Sequence, residues 1–143
     1  MNNFTNSDGA QLQAEGLALA YDRQRIIQDL DLQLPAGKIS VIIGPNGCGK
    51  STLLRALAGL LKPQTGQILL DGRALARFGA RELAKRLGLL PQSSSAPAGI
   101  SVADLVARGR FPHQGLLRQW SAEDAAAVSE ALRLTDLTAL AER

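Results

Sequence analysis

Five apolar segments in the first 92 residues have the lengths and patterns of β-strands. They are residues 17–21, 26–34, 39–43, 66–70 and 87–90. Residues 26–34 nearly alternate apolar and polar side chains, which predicts a strand with one buried face. Residues 39–43 (Ile-Ser-Val-Ile-Ile) are almost continuously apolar, and such a run is typical of a strand covered on both faces of its sheet. The first part of the chain is therefore predicted to be rich in β-structure.

Helical spacing of apolar residues occurs in five further segments. They are residues 53–60, 80–85, 102–107, 122–134 and 136–141. Gly59 and Pro63 end the first of these helices, and Ser121 is a candidate N-cap for the fourth. Residues 92–99 are rich in Ser, Pro and Ala and predict a flexible connector. Residues 1–10 are polar, which predicts a loose terminus.

The composition fits one globular α/β domain. The 143 residues are 45% hydrophobic and 20% charged, which suffices for one core but not for two domains. The net charge of +3 is mild and does not by itself indicate a nucleic-acid partner. Arg77, Arg81 and Lys85 would share one helix face, for which exposure to solvent is a sufficient explanation.

The cysteine content argues against a disulfide-rich protein, and the hydropathy argues against a chain that spans the membrane. Cys48 is the only cysteine, so no disulfide framework is predicted, in agreement with a reducing compartment. We find no apolar core of a secretory signal near the N-terminus, and no apolar run that approaches the ~20 residues needed to span a bilayer. We expect a soluble chain that can still dock onto a membrane protein.

A glycine-rich segment carries the most specific chemical motif. Residues 44–52, Gly-Pro-Asn-Gly-Cys-Gly-Lys-Ser-Thr, match the pattern G-x-x-x-x-G-K-[ST] at every fixed position. Glycines let the backbone wrap closely around an anion, and the N–H groups and the following helix N-terminus attract phosphate. In this motif Lys50, also a candidate catalytic residue, reaches the β- and γ-phosphates, and Ser51 supplies a hydroxyl to Mg²⁺. The candidate nucleotide-binding residues are Gly44, Pro45, Asn46, Gly47, Cys48, Gly49, Lys50, Ser51 and Thr52.

The elements that flank this loop support its assignment. A phosphate-binding loop requires a strand before it and a helix after it, and both are predicted here. The alternative is a glycine-rich turn that binds nothing. We expect the chain to bind a nucleoside triphosphate.

The loop in this form resembles the Walker A motif of ATP-binding cassette (ABC) domains, and three further features agree with that family in order and spacing. Tyr21 ends the first predicted strand, upstream of the loop. Residues 65–72 (Thr-Gly-Gln-Ile-Leu-Leu-Asp-Gly) resemble the strand and turn that follow the Walker helix. Residues 89–92 (Leu-Leu-Pro-Gln) resemble the segment that carries the Q-loop glutamine.

The resemblance runs from about residue 17 to the end of the chain. It implies an α/β P-loop NTPase core of the ABC type, with an antiparallel β subdomain and the start of a helical subdomain. The implied organisation is a loose N-terminus at residues 1–10, a nucleotide-binding core at 11–92, and a Q-loop linker with a partial helical subdomain at 93–143.

The resemblance also implies roles for two residues outside the loop. Tyr21 would stack on adenine, and base–aromatic stacking contributes about 1–3 kcal/mol in nucleic-acid complexes; the alternative is a tyrosine packed at the sheet edge. Gln92 would coordinate Mg²⁺ and the attacking water, which makes it a candidate catalytic and metal-binding residue; the alternative is an ordinary polar loop residue. The expected cofactors are ATP and Mg²⁺.

Residues 106–113 (Val-Ala-Arg-Gly-Arg-Phe-Pro-His) are similar to a stretch in the ATPases of ferric-siderophore, haem and cobalamin importers. In that family the helical subdomain contacts a membrane-spanning permease, so residues 93–113 are the expected contact. His113 is the only histidine, but the family's catalytic histidine comes later in the order of motifs. We therefore expect His113 at the surface or at the permease contact.

Three motifs of a complete ABC domain do not occur in the sequence: the Leu-Ser-Gly-Gly-Gln signature, the Walker B strand ending in Asp-Glu, and the switch histidine. Residues 68–71 imitate Walker B, but Gly72 follows where a glutamate is required, so we assign Asp71 and Gly72 to a turn. We expect an incomplete, N-terminal portion of such an ATPase, deficient in hydrolysis by itself. We also expect residues 39–43 to expose an apolar edge or face.

The leading hypothesis is the ATP-binding subunit of an importer for an iron-siderophore or related metal chelate, cytoplasmic and peripheral on the inner face of the cell membrane. Its expected partners are permease subunits and a second ABC subunit in a head-to-tail dimer, and no nucleic acid. One alternative is a nucleotide-binding module that does not hydrolyse. Another is a different P-loop class, such as a GTPase or a small-molecule kinase, although the chain has no Asn-Lys-x-Asp guanine motif.

Overall fold

The computed structural model describes residues 11–21, 24–93, 96–115 and 120–143. The strands are β1 (Leu12–Tyr21), β2 (Gln24–Leu34), β3 (Thr65–Leu70) and β4 (Arg73–Ala74). The α-helices are α1 (Lys50–Leu57), α2 (Ala80–Ala84), α3 (Val102–Ala107) and α4 (Ala122–Leu134). Short 3₁₀ helices lie at Leu75–Arg77, Arg108–His113 and Thr138–Leu140.

The chain divides into two compact units, Met1–Gly79 and Ala80–Arg143. The four strands and α1 belong to the first unit, and α2, α3 and α4 belong to the second. This division falls before residue 92, where the sequence predicts the end of the nucleotide-binding core. That functional boundary stays a prediction.

The first unit is built on a four-stranded antiparallel sheet with the strand order β2-β1-β3-β4. Asp71 and Gly72 have φ angles of 54° and 74°, so they form the tight primed turn that joins β3 to β4. The Asp71 carboxylate accepts a hydrogen bond from the backbone N–H of Gln11 at 2.8 Å. The predicted antiparallel subdomain and the predicted turn are both confirmed.

Helix α1 packs on this sheet through one apolar stripe. Leu53, Ala56 and Leu57 recur every three to four residues, so they share a helix face. They are buried together with Leu17 and Leu19 of β1, whose side chains are 0% exposed. This core fixes the start of α1, and therefore the loop that precedes it, against the sheet.

Gly66 makes the closest backbone approach inside the sheet. The pairing of β1 with β3 shifts register between Glu15 and Ala18, and Gly66 lies beside this shift with a φ of +77°. A Cβ on Gly66 would overlap the carbonyl oxygens of Glu15 and Gly16. Only glycine fits this position without a shift of the neighbouring strand.

Two predicted strands are wrong. Residues 39–43 and 87–90 are irregular, although both runs are apolar. A strand needs a neighbour for its backbone N–H and C=O groups, and no strand of the described residues pairs with either run. Three side chains of the first run are at least 75% exposed: Ile39, Val41 and Ile43. The expected exposed apolar face at residues 39–43 is therefore confirmed, while Ile42 packs against the core.

The predicted helices are present, but their bounds agree to different degrees. The first was predicted at residues 53–60 and instead spans Lys50–Leu57, and the second ends at Ala84 and not at residue 85. The segments 102–107 and 122–134 are α3 and α4 with the predicted bounds. The predicted helix 136–141 is wrong in length, since only the 3₁₀ turn Thr138–Leu140 forms. Asp136 has a left-handed φ of 57°, which breaks the helical path after α4.

The second unit is organised by caps at its helix ends. Ser121 opens α4 with a capping box that includes Asp124, which confirms the predicted N-cap. Ser101 caps α3, whose first two N–H groups donate to the carbonyl oxygens of residues 143 and 141 at 3.0 and 2.9 Å. Across the described ranges, no helix has the length and apolar character needed to cross a membrane.

Candidate nucleotide-binding site

The glycine-rich loop lies between the irregular segment 39–43 and helix α1. Gly47 and Gly49 have φ angles of +83° and +97°, in the left-handed region where a side chain is strained. Gly49 is also the N-cap of α1, so the chain turns directly from the loop into the helix. The motif residues therefore form one continuous backbone curve that ends at a helix N-terminus.

Lys50 lies folded back into this curve. Its ammonium donates to the carbonyl oxygens of Gly44 at 2.8 Å and Pro45 at 2.7 Å, and it lies 3.8 Å from the sulfur of Cys48. These contacts hold a positive charge at the inside of the loop. A fixed cation beside backbone N–H groups is an arrangement that binds phosphate oxygens strongly.

One turn inside the loop brings residues 45 and 48 together. The backbone N–H of Cys48 donates to the carbonyl of Pro45 at 3.4 Å. A Cβ on Gly44 would lie 2.7 Å from Cys48 Sγ, so a larger residue at position 44 would displace the cysteine. The small size of Gly44 thus permits the turn that carries Lys50 inward.

The first turn of α1 offers backbone N–H donors and an exposed hydroxyl, that of Ser51. Within the described residues no side chain caps this turn, so its leading N–H groups can donate to an anion. Ser51 is exposed, whereas Thr52 is 9% exposed and faces the core. The described residues contain no group of three or more His, Cys, Asp or Glu side chains that could hold a metal. The role of Ser51 as a Mg²⁺ ligand stays a prediction.

The other predicted site residues lie outside the loop. Tyr21 ends β1 opposite Gln24 on β2, and its side chain is outside the described part of the structure. Gln92 is exposed in a bend after Pro91, within the unit Ala80–Arg143. His113 is exposed at the end of the 3₁₀ helix Arg108–His113. The structure brings together the residues of 44–52, and the roles of Tyr21 and Gln92 stay predictions.

Two residues that support the loop were not predicted from the sequence. A Cβ on Gly49 would lie 2.7 Å from Ile26 Cγ2 and 3.4 Å from Ile27 Cγ1, so these β2 side chains pack directly against the loop. Their apolar character indicated a strand, but nothing in the pattern placed that strand beside Gly49. The contact is set by how β2 returns along β1, which is a tertiary feature.

Comparison with known proteins agrees with the motif. The family model described as ABC transporter matches residues 27–143. The chain is 52% identical over 127 residues to the achromobactin transport ATP-binding protein CbrD of Dickeya dadantii, covering 89% of this chain and 47% of that protein. It is 45% identical over 134 residues to the ferric enterobactin transport ATP-binding protein FepC of Escherichia coli, covering 94% and 49%.

The fold has a counterpart among solved structures. An ABC transporter assigned to the metal-chelate type, in an inward-facing conformation, is 32% identical with a TM-score of 0.74, covering 94% of this chain and 48% of that chain. The chain spans about half the length of these relatives. Since the family model covers most of the chain and the fold agrees, the chain belongs to the ABC transporter family and has the fold of its ATPases.

Proposed function

We propose that this chain is the ATP-binding part of an importer that couples ATP binding and hydrolysis to uptake of an iron-siderophore or related metal chelate. The observation that carries the nucleotide part is the loop 44–52, which curves around the Lys50 ammonium at the N-terminus of α1. The substrate class is supported by the names of the two relatives, which refer to achromobactin and ferric enterobactin.

In this proposal Lys50 exchanges partners when a triphosphate binds. Its ammonium leaves the carbonyl oxygens of Gly44 and Pro45, at least in part, and donates to the β- and γ-phosphate oxygens. The glycine backbone and the first turn of α1 supply the remaining N–H donors. Ser51 and Gln92 would hold Mg²⁺, which would neutralise phosphate charge when bound, and Tyr21 would stack on the adenine.

The domain organisation and the partners belong to the same proposal. Residues 11–92 serve as the nucleotide-binding core, and 93–143 serve as the Q-loop linker and part of the helical subdomain. Permease subunits contact residues 93–113, and a second ABC subunit pairs head to tail in the full-length form. This assembly would lie on the cytoplasmic face of the membrane, without nucleic acid.

One feature of the second unit supports a partner contact there. A groove of about 470 Å³ is lined by apolar and aromatic side chains together with a few polar ones. Phe111 and Trp120 line it and are 62% and 51% exposed, which is unusual for large aromatic residues without a partner. Part of this groove lies within the proposed contact at residues 93–113.

The test of the nucleotide site is a binding titration of the 143-residue chain with a fluorescent ATP analogue and Mg²⁺. Lys50→Ala should weaken binding at least about tenfold, because it removes a charge-assisted contact to phosphate. Lys62→Ala is the matched control, since Lys62 is exposed beyond α1, and it should bind as the wild type does. Equal affinity in Lys50→Ala and the wild type would contradict the proposed site.

Two further measurements separate the alternatives. Preference for GTP over ATP would favour another P-loop class. ATP binding without turnover, both in this chain and in a full-length protein that contains it, would favour a nucleotide-binding module that does not hydrolyse. Turnover by the full-length protein that is lost in Lys50→Ala would support the transport ATPase.

A further inference from the structure

The most buried charged group of the described residues is a carboxylate outside the phosphate loop, that of Asp124. Asp124, in the first turn of α4, is 1% exposed. Its Oδ2 accepts from the backbone N–H and the hydroxyl of Ser121 at 3.1 and 2.8 Å, and its own backbone N–H donates to Ser121 Oγ at 3.2 Å, which completes the capping box. Its Oδ1 accepts from Arg110 Nε at 2.8 Å. Both oxygens are therefore used, and capping accounts for only one of them.

Arg110 supplies the contact that capping does not explain. Its side chain is 17% exposed and bonds to Asp124 across fourteen positions of sequence. It also lies 3.8 Å from Glu123, whose side chain is 74% exposed. The pair of Arg110 and Asp124 therefore fastens the 3₁₀ helix Arg108–His113 to the start of α4.

The two exposed aromatic residues of the groove are next in sequence to Arg110 and to Ser121, the residue that is hydrogen-bonded to Asp124. Phe111 follows Arg110 directly, and Trp120 comes directly before the N-cap Ser121. Other residues that line the groove are Ile100, Asp104, Arg108 and Gln114. The groove is thus lined by the segment 97–100, by α3, by the 3₁₀ helix with Phe111, and by Trp120 at the entry to α4.

Burying a carboxylate costs desolvation free energy, and an ion pair mainly offsets this cost. The pair therefore adds little net stability to the fold. Such a pair is therefore better explained by the geometry it imposes than by net stabilisation. We infer that the Arg110–Asp124 pair is a positioning device that holds Phe111 and Trp120 apart at the spacing that forms the groove. The importance of the groove for a permease rests on the proposed function; the positioning role does not.

The experiment uses the 143-residue chain and its single tryptophan, Trp120. Arg110→Met keeps most of the side-chain stem and removes the guanidinium. We expect acrylamide quenching of Trp120 to rise about twofold and its emission to shift to the red, since the released segment opens locally. The far-UV circular dichroism should stay that of the wild type.

The matched control is Arg133→Met. Arg133 pairs with Glu130 in the same helix, at 2.8 Å, but both side chains are more than half exposed. This variant should leave Trp120 quenching and emission unchanged, because an exposed pair positions nothing in the groove.

A second variant keeps the test decisive if Arg110→Met does not fold. Arg110→Lys retains the charge but not the planar donors, so it should give a smaller increase in quenching than Arg110→Met and a larger one than Arg133→Met. Wild-type quenching and emission in a folded Arg110 variant would overturn the positioning role. Because nucleotide and permease are both omitted, that result would leave the proposed function untouched, and failure of ATP binding would leave this inference untouched.

Discussion

Each of the two units is stabilised internally by a different kind of interaction. Among the described residues of Met1–Gly79, the buried side chains are apolar except for Thr52, and they include Leu17, Leu19, Leu53, Leu57 and Ile68. Among the described residues of Ala80–Arg143, only Asp124 and Leu132 are buried. One unit thus rests on an apolar core, and the other rests on helix caps and one buried ion pair.

This difference predicts different sensitivities. Apolar burial is non-directional and contributes about 25 cal/mol per Å², so it stabilises the sheet unit at any ordinary pH. Ion pairs and caps are directional and depend on protonation, and their net free energy is small after desolvation. We therefore expect the helical unit to open first, and to respond most to acid.

The largest effect should come from the core of the sheet unit. Leu17→Ala removes a fully buried side chain that packs against α1, and Leu→Ala changes at such positions cost about 2–5 kcal/mol of unfolding free energy. Urea titration gives the size of the loss, and amide exchange should quicken in β1 and β3 but not in α4. Leu60→Ala is the control, because Leu60 is 69% exposed. Equal acceleration in α4 would show that the units are not stabilised separately.

A smaller loss is expected where the sheet admits only glycine. Gly66→Ala would place a Cβ against the Glu15 and Gly16 carbonyls at a φ of +77°, so we expect a cost above about 1 kcal/mol. Gly88→Ala is the matched change in the helical unit, where nothing lies within 4 Å of the added Cβ, and it should stay within about 0.5 kcal/mol. Thermal unfolding of both variants measures the difference. Similar losses would mean that the close approach at Gly66 is relieved by movement of β1.

Acid should act on the helical unit before the sheet unit. Hydrogen bonds from Arg110 and Ser121 lower the pKa of Asp124 from its ordinary value of 3.8 to about 2. A carboxyl with a lowered pKa stabilises the fold above its ordinary pKa, and this stabilisation is lost as the pH falls from 3.8 towards 2. Amide protection in α4 should therefore decrease over that range while protection in β1 persists. In Asp124→Asn the protection of α4 should be lower at neutral pH and should not fall further through this group.

The smallest effect is expected in the exposed run 39–43. Ile43 is 89% exposed, so Ile43→Thr should change the unfolding free energy by less than about 0.5 kcal/mol. Light scattering should at the same time show less self-association, because the hydroxyl lowers the hydrophobicity of an exposed, uncharged run. A loss comparable to that of Leu17→Ala would show that this run is packed in solution.

The correct and the wrong strand predictions both rest on the pattern of apolar residues, which does not show whether a partner strand is present. Residues 26–34 and 39–43 both have strand-like patterns, yet only the first has a partner strand, which is β1. The pattern reports which side chains can be buried, whereas pairing requires a second backbone at the right distance. Helices need no such partner for their hydrogen bonds, and accordingly α3 and α4 have the predicted bounds.

The candidate site likewise has one part that the sequence predicts, the motif, and one part that it does not, the side chains that support the motif. The motif at residues 44–52 was recognised from the sequence because glycine, lysine and serine at that spacing have a local role that does not depend on distant residues. Its support by Ile26 and Ile27 could not be recognised, since these residues reach Gly49 only through the return of β2 along β1. For the same reason the sequence did not predict that Arg110 would bond to Asp124, fourteen positions away.

The sequence by itself determined the phosphate-binding motif, the bounds of α3 and α4, the turn at Asp71 and Gly72, and the family. All of these depend on local backbone preferences or on the order of short motifs. The tertiary structure alone decided which apolar runs became strands, which side chains support the loop, and which carboxylate is buried in an ion pair. These features depend on contacts between distant segments, whose free energy exists only when the chain brings both partners together.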